Sequence, residues 1–364
     1  MKKQSIKKLK VEQDCCSLHN NLLFDQDKAQ GMWAFFNKIK DKNDSVEAAA
    51  IDGQKNQSGA VVKKIQKLFV RGPSHTEDGQ LLIQDLSNRE FQRENLNGFS
   101  FSKATLTGAN FYYAQLENTI LSKTDLTDTN FEQAKICGAV LHDAITVNTC
   151  FKSADLSASR FFNNDLKSAN LEGADLKAAE LLNCDLSNLN LTTTNLDKVV
   201  ATCIQANGSK FDGATLNQAR IKNSGLRRSS MFSVIGRECD FEKSRMNDID
   251  CQQAEFSDTS FIKSDIRSGR FNKSTFLKCD FTDAIGVEAD FTRARLYRSN
   301  FTKANLRGAK FIGAKLDGVD FTGADLVGAD FTDADLDKAI LSPEQLKTIK
   351  INSTLSQREV ESSL

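Results

Sequence analysis

A five-residue period of large apolar side chains runs through most of the chain. Every fifth residue from Leu81 to Leu336 belongs to one series of 52 positions, and 47 of these carry Leu, Phe, Ile, Met or Cys. The exceptions are Thr146, Ala201, Ala206, Gly236 and Gly286. Neither a helix nor a flat strand keeps every fifth side chain on one face. The pattern therefore predicts a backbone that turns a corner every five residues, with successive coils stacked into ladders.

The position two residues before each large residue is small. From Ala304 to Ala334 it is mostly alanine, and elsewhere it is usually Ser, Thr, Cys or Gly. A second inward site must be small when the large residue already fills a narrow core. The residue between the two is often Asp or Asn, as at Asn305 and Asp320. Such short polar side chains bond to nearby backbone at turns.

The stretch 304–339, ANLRGAKFIGAKLDGVDFTGADLVGADFTDADLDKA, resembles the A(D/N)LXX signature of pentapeptide-repeat proteins. The resemblance covers 79–341 and implies an all-β solenoid, a right-handed quadrilateral β-helix with four pentapeptides, or twenty residues, per coil. About 13 coils at roughly 4.8 Å each would make a rod about 60 Å long. The resemblance also implies columns of stacked aromatic rings, one of which contains Phe91, Phe111, Phe131 and Phe151.

The period is weakest between 197 and 250. Ala201, Ala206 and Gly236 replace large residues there, and extra Val and Ile residues crowd the adjacent positions. Two interpretations remain open. One is a locally irregular or bent coil, and the other is a bend that shapes a binding face.

The repeat leaves a flanking region at each end, 1–78 and 342–364, and a solenoid needs caps there. Ser342, Pro343 and Glu344 form a helix start, with an N-cap, Pro at N1 and an acid in the first turn. Leu346 and Ile349 are then placed to close the last coil. Some members of the family dimerise through a C-terminal helix, so a homodimer is the alternative role for this one.

Residues 1–78 are predicted to be helical or flexible. Segment 59–72, GAVVKKIQKLFVRG, places apolar residues on one helical stripe with lysines around it. We interpret this helix as an N-terminal cap for the coil at Leu81, with a basic amphipathic helix on a membrane surface as the alternative. The region could equally serve as a secretion or targeting segment, although no motif indicates this.

Charge and cysteine usage limit the kinds of partner and the cellular compartments that we expect for this protein. Forty-eight basic and 48 acidic side chains cancel, so no global field attracts nucleic acid. No apolar run approaches the roughly 18 residues of a membrane helix. The basic start lacks a following apolar region, so Sec export is not expected. Nine cysteines without a CxxC pair favour reduced thiols and a bacterial cytoplasm, or delivery into a host cell as the alternative.

No group of residues in the sequence predicts catalysis. His19, His75 and His142 are scattered, and Cys184, Cys239 and Cys279 fall on the small inward position, where they fill the core. No glycine-rich loop follows a strand and opens a helix. We therefore expect no enzyme activity, no cofactor and no metal.

The best charged cluster is Arg295, Arg298 and Lys315, which we name as candidate partner-binding residues. Arg293 to Lys315 contains no acid, and positions 295 and 315 fall in one column of a twenty-residue coil. An acidic band from Asp317 to Asp337 follows. Two interpretations remain open: charge pairing between neighbouring coils, and a surface that docks a partner.

The architecture predicts a non-enzymatic scaffold that binds another protein. This class includes bacterial secreted effectors, in which residues 1–78 would be the targeting segment. The alternative, also found in the family, is a DNA mimic that binds a type II topoisomerase and so protects or inhibits gyrase. That role requires a markedly acidic face, and the balanced charge argues against it. No direct binding of nucleic acid is expected.

Overall fold

A solenoid of short parallel strands is formed by residues 85–351, the part of the chain that the computed structural model describes. Each bridge joins residues twenty apart, from Asp85 with Thr105 to Asp330 with Lys350. One coil therefore takes twenty residues, and each coil carries four bridges, as at 85, 90, 95 and 100. The predicted all-β solenoid is confirmed.

At eight bridge positions the pairing extends to a strand of three residues. Five of them form one parallel sheet: β1 (Val140–His142), β2 (Arg160–Phe162), β3 (Glu180–Leu182), β4 (Val200–Thr202) and β5 (Arg220–Lys222). Three form a second sheet: β6 (Ile235–Arg237), β7 (Glu255–Ser257) and β8 (Thr275–Leu277). Within each sheet the register is again twenty residues, as between Leu141 and Phe161.

Stacked phenylalanine rings fill much of the interior. The centroids of Phe91 and Phe111 lie 4.7 Å apart, and those of Phe281 and Phe301 lie 4.5 Å apart with an interplanar angle of 2°. Rings on opposite walls meet edge to face, as Phe301 and Phe311 do at 6.1 Å. Such offset and edge contacts are the favoured aromatic geometries. The ring columns expected from the family resemblance are confirmed.

Most corners are four-residue turns in which the fourth residue donates a hydrogen bond to the first. The Ala304 N–H donates to the Phe301 carbonyl at 3.0 Å, and Lys303 has a φ of 59°. A positive φ at the third residue is what a type II turn requires. The Asn300 side chain accepts from the Thr302 N–H at 2.8 Å and fixes the turn, as the sequence predicts. Most described corners hold residues other than glycine, so glycine is favoured there but is not required.

Buried hydroxyl groups at the small inward sites bond to the neighbouring coil. Thr124 Oγ1 donates to the Phe101 carbonyl at 2.8 Å, and Thr149 Oγ1 donates to the Leu126 carbonyl at 2.8 Å. A buried polar group needs such a partner. Ser and Thr therefore replace Ala in the interior without leaving an unpaired hydroxyl.

The predicted irregularity between 197 and 250 is absent from the backbone pairing. Ala201 pairs with both Leu181 and Ile221 in unbroken register. Val199, at the small inward site two residues earlier, is buried and supplies the volume that Ala201 lacks. The large and small inward residues have exchanged places, so the prediction of a locally irregular coil was wrong.

A short helix closes the last coil. Helix α1 (Pro343–Leu346) begins at the N-cap Ser342, whose hydroxyl accepts from the Gln345 N–H at 3.2 Å. The Gln345 side-chain amide donates to the carbonyls of Phe321 and Ala324 at 2.7 and 2.9 Å. Leu346, Ile349 and Ile351 pack against the core, and the chain then rejoins the solenoid at Lys350.

Several predictions concern residues outside the described range. The chain divides into two compact units, Met1–Lys55 and Asn56–Leu364, and residues 85–351 all belong to the second. The predicted cap or membrane-surface helix at 59–72 and the targeting role of 1–78 lie outside the described residues.

Candidate protein-binding surface

Outward side chains form columns along the solenoid. Residues twenty apart follow one another in adjacent coils because the register never shifts between Asp85 and Lys350. A row of side chains spaced by about 4.8 Å is therefore fixed by the backbone rather than by loops. Such rows form the outer surface of the solenoid.

The three predicted binding residues are only partly brought together. Arg295 and Lys315 pair in adjacent coils, and both are exposed, as is Arg298. Lys315 Nζ lies 3.1 Å from Asp335 Oδ2, and this hydrogen bond lowers the pKa of the Asp335 carboxyl. Lys315 thus has a counterion. Arg295 and Arg298 have no carboxylate within ion-pair distance in the part of the chain that the structure describes.

Three residues that the sequence prediction missed complete this surface. Lys278 precedes Arg298 by twenty residues and likewise has no carboxylate within ion-pair distance among residues 85–351. The Lys278 N–H donates to the Tyr297 carbonyl at 2.9 Å, which places Leu277 and Tyr297 beside the cations. We call Leu277, Lys278, Arg295, Tyr297 and Arg298 the cationic patch. The twenty-residue spacing, applied to each outward cation, would have found Lys278.

Several cations in the following coils are paired with carboxylates. Arg307 contacts Asp325 at 3.0 Å and Lys350 contacts Asp330 at 2.8 Å, each from one coil to the next. These contacts support the charge-pairing interpretation for the end of the solenoid. Exposed pairs of this kind add little stability, so their main effect is to neutralise the surface around the cationic patch.

The reactive side chains are dispersed. No group of three or more His, Cys, Asp or Glu residues able to hold a metal ion occurs within 85–351. Burial raises the pKa of the Cys184, Cys239 and Cys279 thiols to about 12, as expected for core filler. His142 Nε2 lies 3.1 Å from Asp143 Oδ2 on the surface. The internal cavity near Ala201 is lined by apolar side chains alone.

Acidic side chains do not form a continuous row. Asp165 and Asp185 are adjacent in one column, but Ile145 precedes them and Gln205 follows them. In no outward column of the described coils do more than two carboxylates follow one another. The geometry therefore gives no support to the DNA-mimic alternative.

In the described range, no helix is long and apolar enough to cross a membrane.

Family comparisons identify the repeat. A family model described as Pentapeptide repeats matches in eight copies, at residues 91–122, 124–163, 159–197 and 304–342. A second model, described as the SV2A/B/C luminal domain, matches residues 234–321. No curated protein matches the chain.

Solved structures with the same kind of repeat were also found. HetL, from the cyanobacterium Nostoc sp. strain PCC 7120, is 18% identical, with 76% of this chain and 95% of HetL covered and a TM-score of 0.19. Full-length QnrB1, a plasmid-mediated fluoroquinolone resistance protein, is 13% identical, with 77% and 97% covered and a TM-score of 0.23. A pentapeptide repeat protein from the Arabidopsis thaliana thylakoid lumen is 21% identical, with 45% and 73% covered and a TM-score of 0.09.

Proposed function

Because the chain belongs to the pentapeptide-repeat family, we propose that it is a non-enzymatic scaffold that binds another protein on the outside of its solenoid. A rigid, regular rod already holds its side chains in order. It therefore loses less conformational entropy on binding than a flexible loop does. The columns of this chain are held by backbone hydrogen bonds in every described coil. The fold therefore suits recognition of an extended surface.

The cationic patch is the observation that carries this proposal. Lys278, Arg295 and Arg298 are exposed cations without a carboxylate at ion-pair distance in residues 85–351, whereas Arg307 and Lys350 in the following coils are paired. Leu277 and Tyr297 add apolar surface at the same place. Arginine and tyrosine are enriched in the residues that dominate binding energy. The patch therefore fits a protein segment that carries acidic and apolar side chains.

Charge reversal in the full-length chain tests the proposal. The Arg295→Glu/Arg298→Glu variant should lose at least about tenfold in affinity for the partner captured by the wild-type protein, because buried charge contacts typically contribute 2 kcal/mol or more. The control is Arg227→Glu/Lys263→Glu, which makes the same charge change at exposed cations elsewhere. Equal affinity of both variants would show that the patch is not the binding surface.

We further propose that the protein is a bacterial secreted effector whose residues 1–78 form the targeting segment. The absence of the repeat from this region supports a separate role for it. A reporter fused to 1–78 should be translocated or localised. A reporter that stays diffuse in the producing cell would refute the targeting role of residues 1–78.

DNA supercoiling by gyrase should be unchanged by excess protein, since the described coils carry no continuous acidic row.

A further inference from the structure

The outward column that contains Ile235 carries charges of opposite sign on the two sides of that residue. The column consists of every twentieth residue from Lys135 to Asp335, and its members pair in one unbroken register through bridges and through β6, β7 and β8. We call these residues the Ile235 column. Ile235 stands at its centre, is 44% exposed and is the one apolar member of the column.

The signs of the charges reverse about Ile235. From three to five coils away, residues at equal distances on the two sides are oppositely charged: Asp175 and Arg295 at three coils, Asp155 and Lys315 at four, and Lys135 and Asp335 at five. Closer to Ile235, Glu255 is the one charged member, and the residue at the equal distance is Thr215. The column is therefore complementary in charge to a reversed copy of itself.

A twofold axis at Ile235 would use this complementarity. In a face-to-face dimer the axis lies in the interface, and when it is perpendicular to both solenoids each column faces itself in reversed order. Two copies of one solenoid have the same spacing between coils, so the register is kept along the whole column. Asp175 of each copy then lies opposite Arg295 of the other, and every charge pair occurs twice.

The charges that would meet across this axis are mostly without a counterion in the single chain. Asp155 and Asp175 accept backbone hydrogen bonds within their own turns, from Ser157 and Lys177 at 3.0 and 2.9 Å. Neither carboxylate has a cation at ion-pair distance in residues 85–351, and in the same range Lys135 and Arg295 have no carboxylate. The pair between Lys315 and Asp335 would exchange for equivalent pairs with the second copy.

We propose that the protein forms an antiparallel homodimer through the wall that bears the Ile235 column, with Ile235 at the twofold axis. Phe232, at the adjoining corner, is 39% exposed and adds apolar surface at the same level. Ten coils of a wall about 10 Å wide are about 48 Å long, so the dimer buries roughly 1,000 Å² in total. This is the low end for specific interfaces. We therefore expect a weak dimer that depends on its charges and dissociates in salt.

This dimer goes beyond the proposed partner and does not use α1, the contact that the family resemblance offered for a homodimer. Arg295 belongs both to the Ile235 column and to the cationic patch, so a second copy and an acidic partner compete for it. Self-association is measured without any other protein. Its failure would therefore leave the proposed function standing, and failure to bind a partner would leave the dimer standing.

Sedimentation velocity of the full-length chain, over a range of concentrations in about 0.05 M salt, tests the proposal. The wild-type protein should form a reversible dimer, and the dimer should weaken in about 0.5 M salt because the facing charges are screened. Asp175→Arg and Arg295→Asp should each weaken the dimer at least about tenfold, since each places like charges opposite one another. Asp283→Arg and Lys263→Asp, which make the same charge changes at another corner, are the controls and should dimerise like the wild type.

A mixture of the two interface variants separates a lost contact from a lost fold. Asp175→Arg and Arg295→Asp, each impaired alone, should form a heterodimer when mixed, because both charge pairs across the axis are then restored. A wild-type chain that stays monomeric at every concentration would overturn the proposal. So would a dimer that neither single reversal weakens, or a mixture of the two variants that stays monomeric.

Discussion

The side chain of Phe301 shows how a single residue is held in this fold. Its ring stacks between Phe281 and Phe321, with centroid distances of 4.5 and 5.5 Å, and meets Phe291 and Phe311 edge to face. It is fully buried. Each ring therefore contacts both adjacent coils and the opposite walls, so its loss leaves a cavity that no single neighbour can fill.

Phe301→Ala should lower the free energy of unfolding by about 3–5 kcal/mol, the usual cost of removing a buried aromatic ring. Urea denaturation followed by circular dichroism measures this change. Tyr113→Ala, at an exposed corner, is the control and should change stability by no more than about 0.5 kcal/mol. Equal effects of the two substitutions would contradict the ring columns.

The buried cysteines make a prediction about reactivity. Burial raises the pKa of the Cys184 thiol to about 12, so at pH 8 its reactive thiolate is scarce as well as shielded. In the native protein, iodoacetamide at pH 8 should modify the partly exposed Cys150 well before Cys184. Mass spectrometry of the labelled peptides measures both rates. Equal rates in the native state, rather than only in urea, would contradict the burial of Cys184.

At the scale of the element, an ion pair adds to the backbone bridge and to the Gln345 hydrogen bonds that hold α1 and the residues after it to the last coil. Lys350 Nζ lies 2.8 Å from Asp330 Oδ2, and the Thr332 N–H donates to Asp330 Oδ1 at 3.0 Å. Burial opposes the charged form of Asp330, but these partners outweigh it and lower the carboxyl pKa from 3.8 to about 2. This one contribution to the closure of the end therefore depends on pH.

Because the pKa of Asp330 is lower in the folded state, its contribution to stability is present above about pH 4 and is lost as the pH falls towards 2. Asp330→Asn should lower stability at pH 7 by no more than about 1 kcal/mol, since Lys350 is exposed. This difference from the wild type should vanish near pH 2. Asp320→Asn, which keeps an equivalent turn bond to Thr322 and has no ion pair in the described residues, is the control. A difference that persists at pH 2 would contradict the role of the charge.

The elements differ in how far the sequence predicts them. The start of α1 follows from Ser342 and Pro343, which act locally. The exchange of large and small residues at Val199 and Ala201 is not predictable from the five-residue series, because the missing volume is supplied from a different position. If the side-chain volumes at the large and small inward positions of each pentapeptide are added together, the sequence predicts a regular coil at Val199 and Ala201.

At the scale of the molecule, the period fixes the interior but not the binding surface. The sequence identifies Arg295, Arg298 and Lys315, and the twenty-residue spacing places Lys278 beside Arg298, yet only the coordinates show that Lys315 is paired with Asp335. Surface pairing depends on the rotamers of long side chains, which the period does not constrain.

The central claim is that twenty residues make one coil, so the most direct test is a distance over several coils. Spin labels on unnatural amino acids at the exposed positions Asn183 and Asp283 would lie one hundred residues, or five coils, apart in one column. Pulsed electron paramagnetic resonance should give a narrow distribution centred near about 24 Å, from roughly 4.8 Å per coil. A broad distribution, or one centred beyond about 40 Å, would contradict the twenty-residue coil.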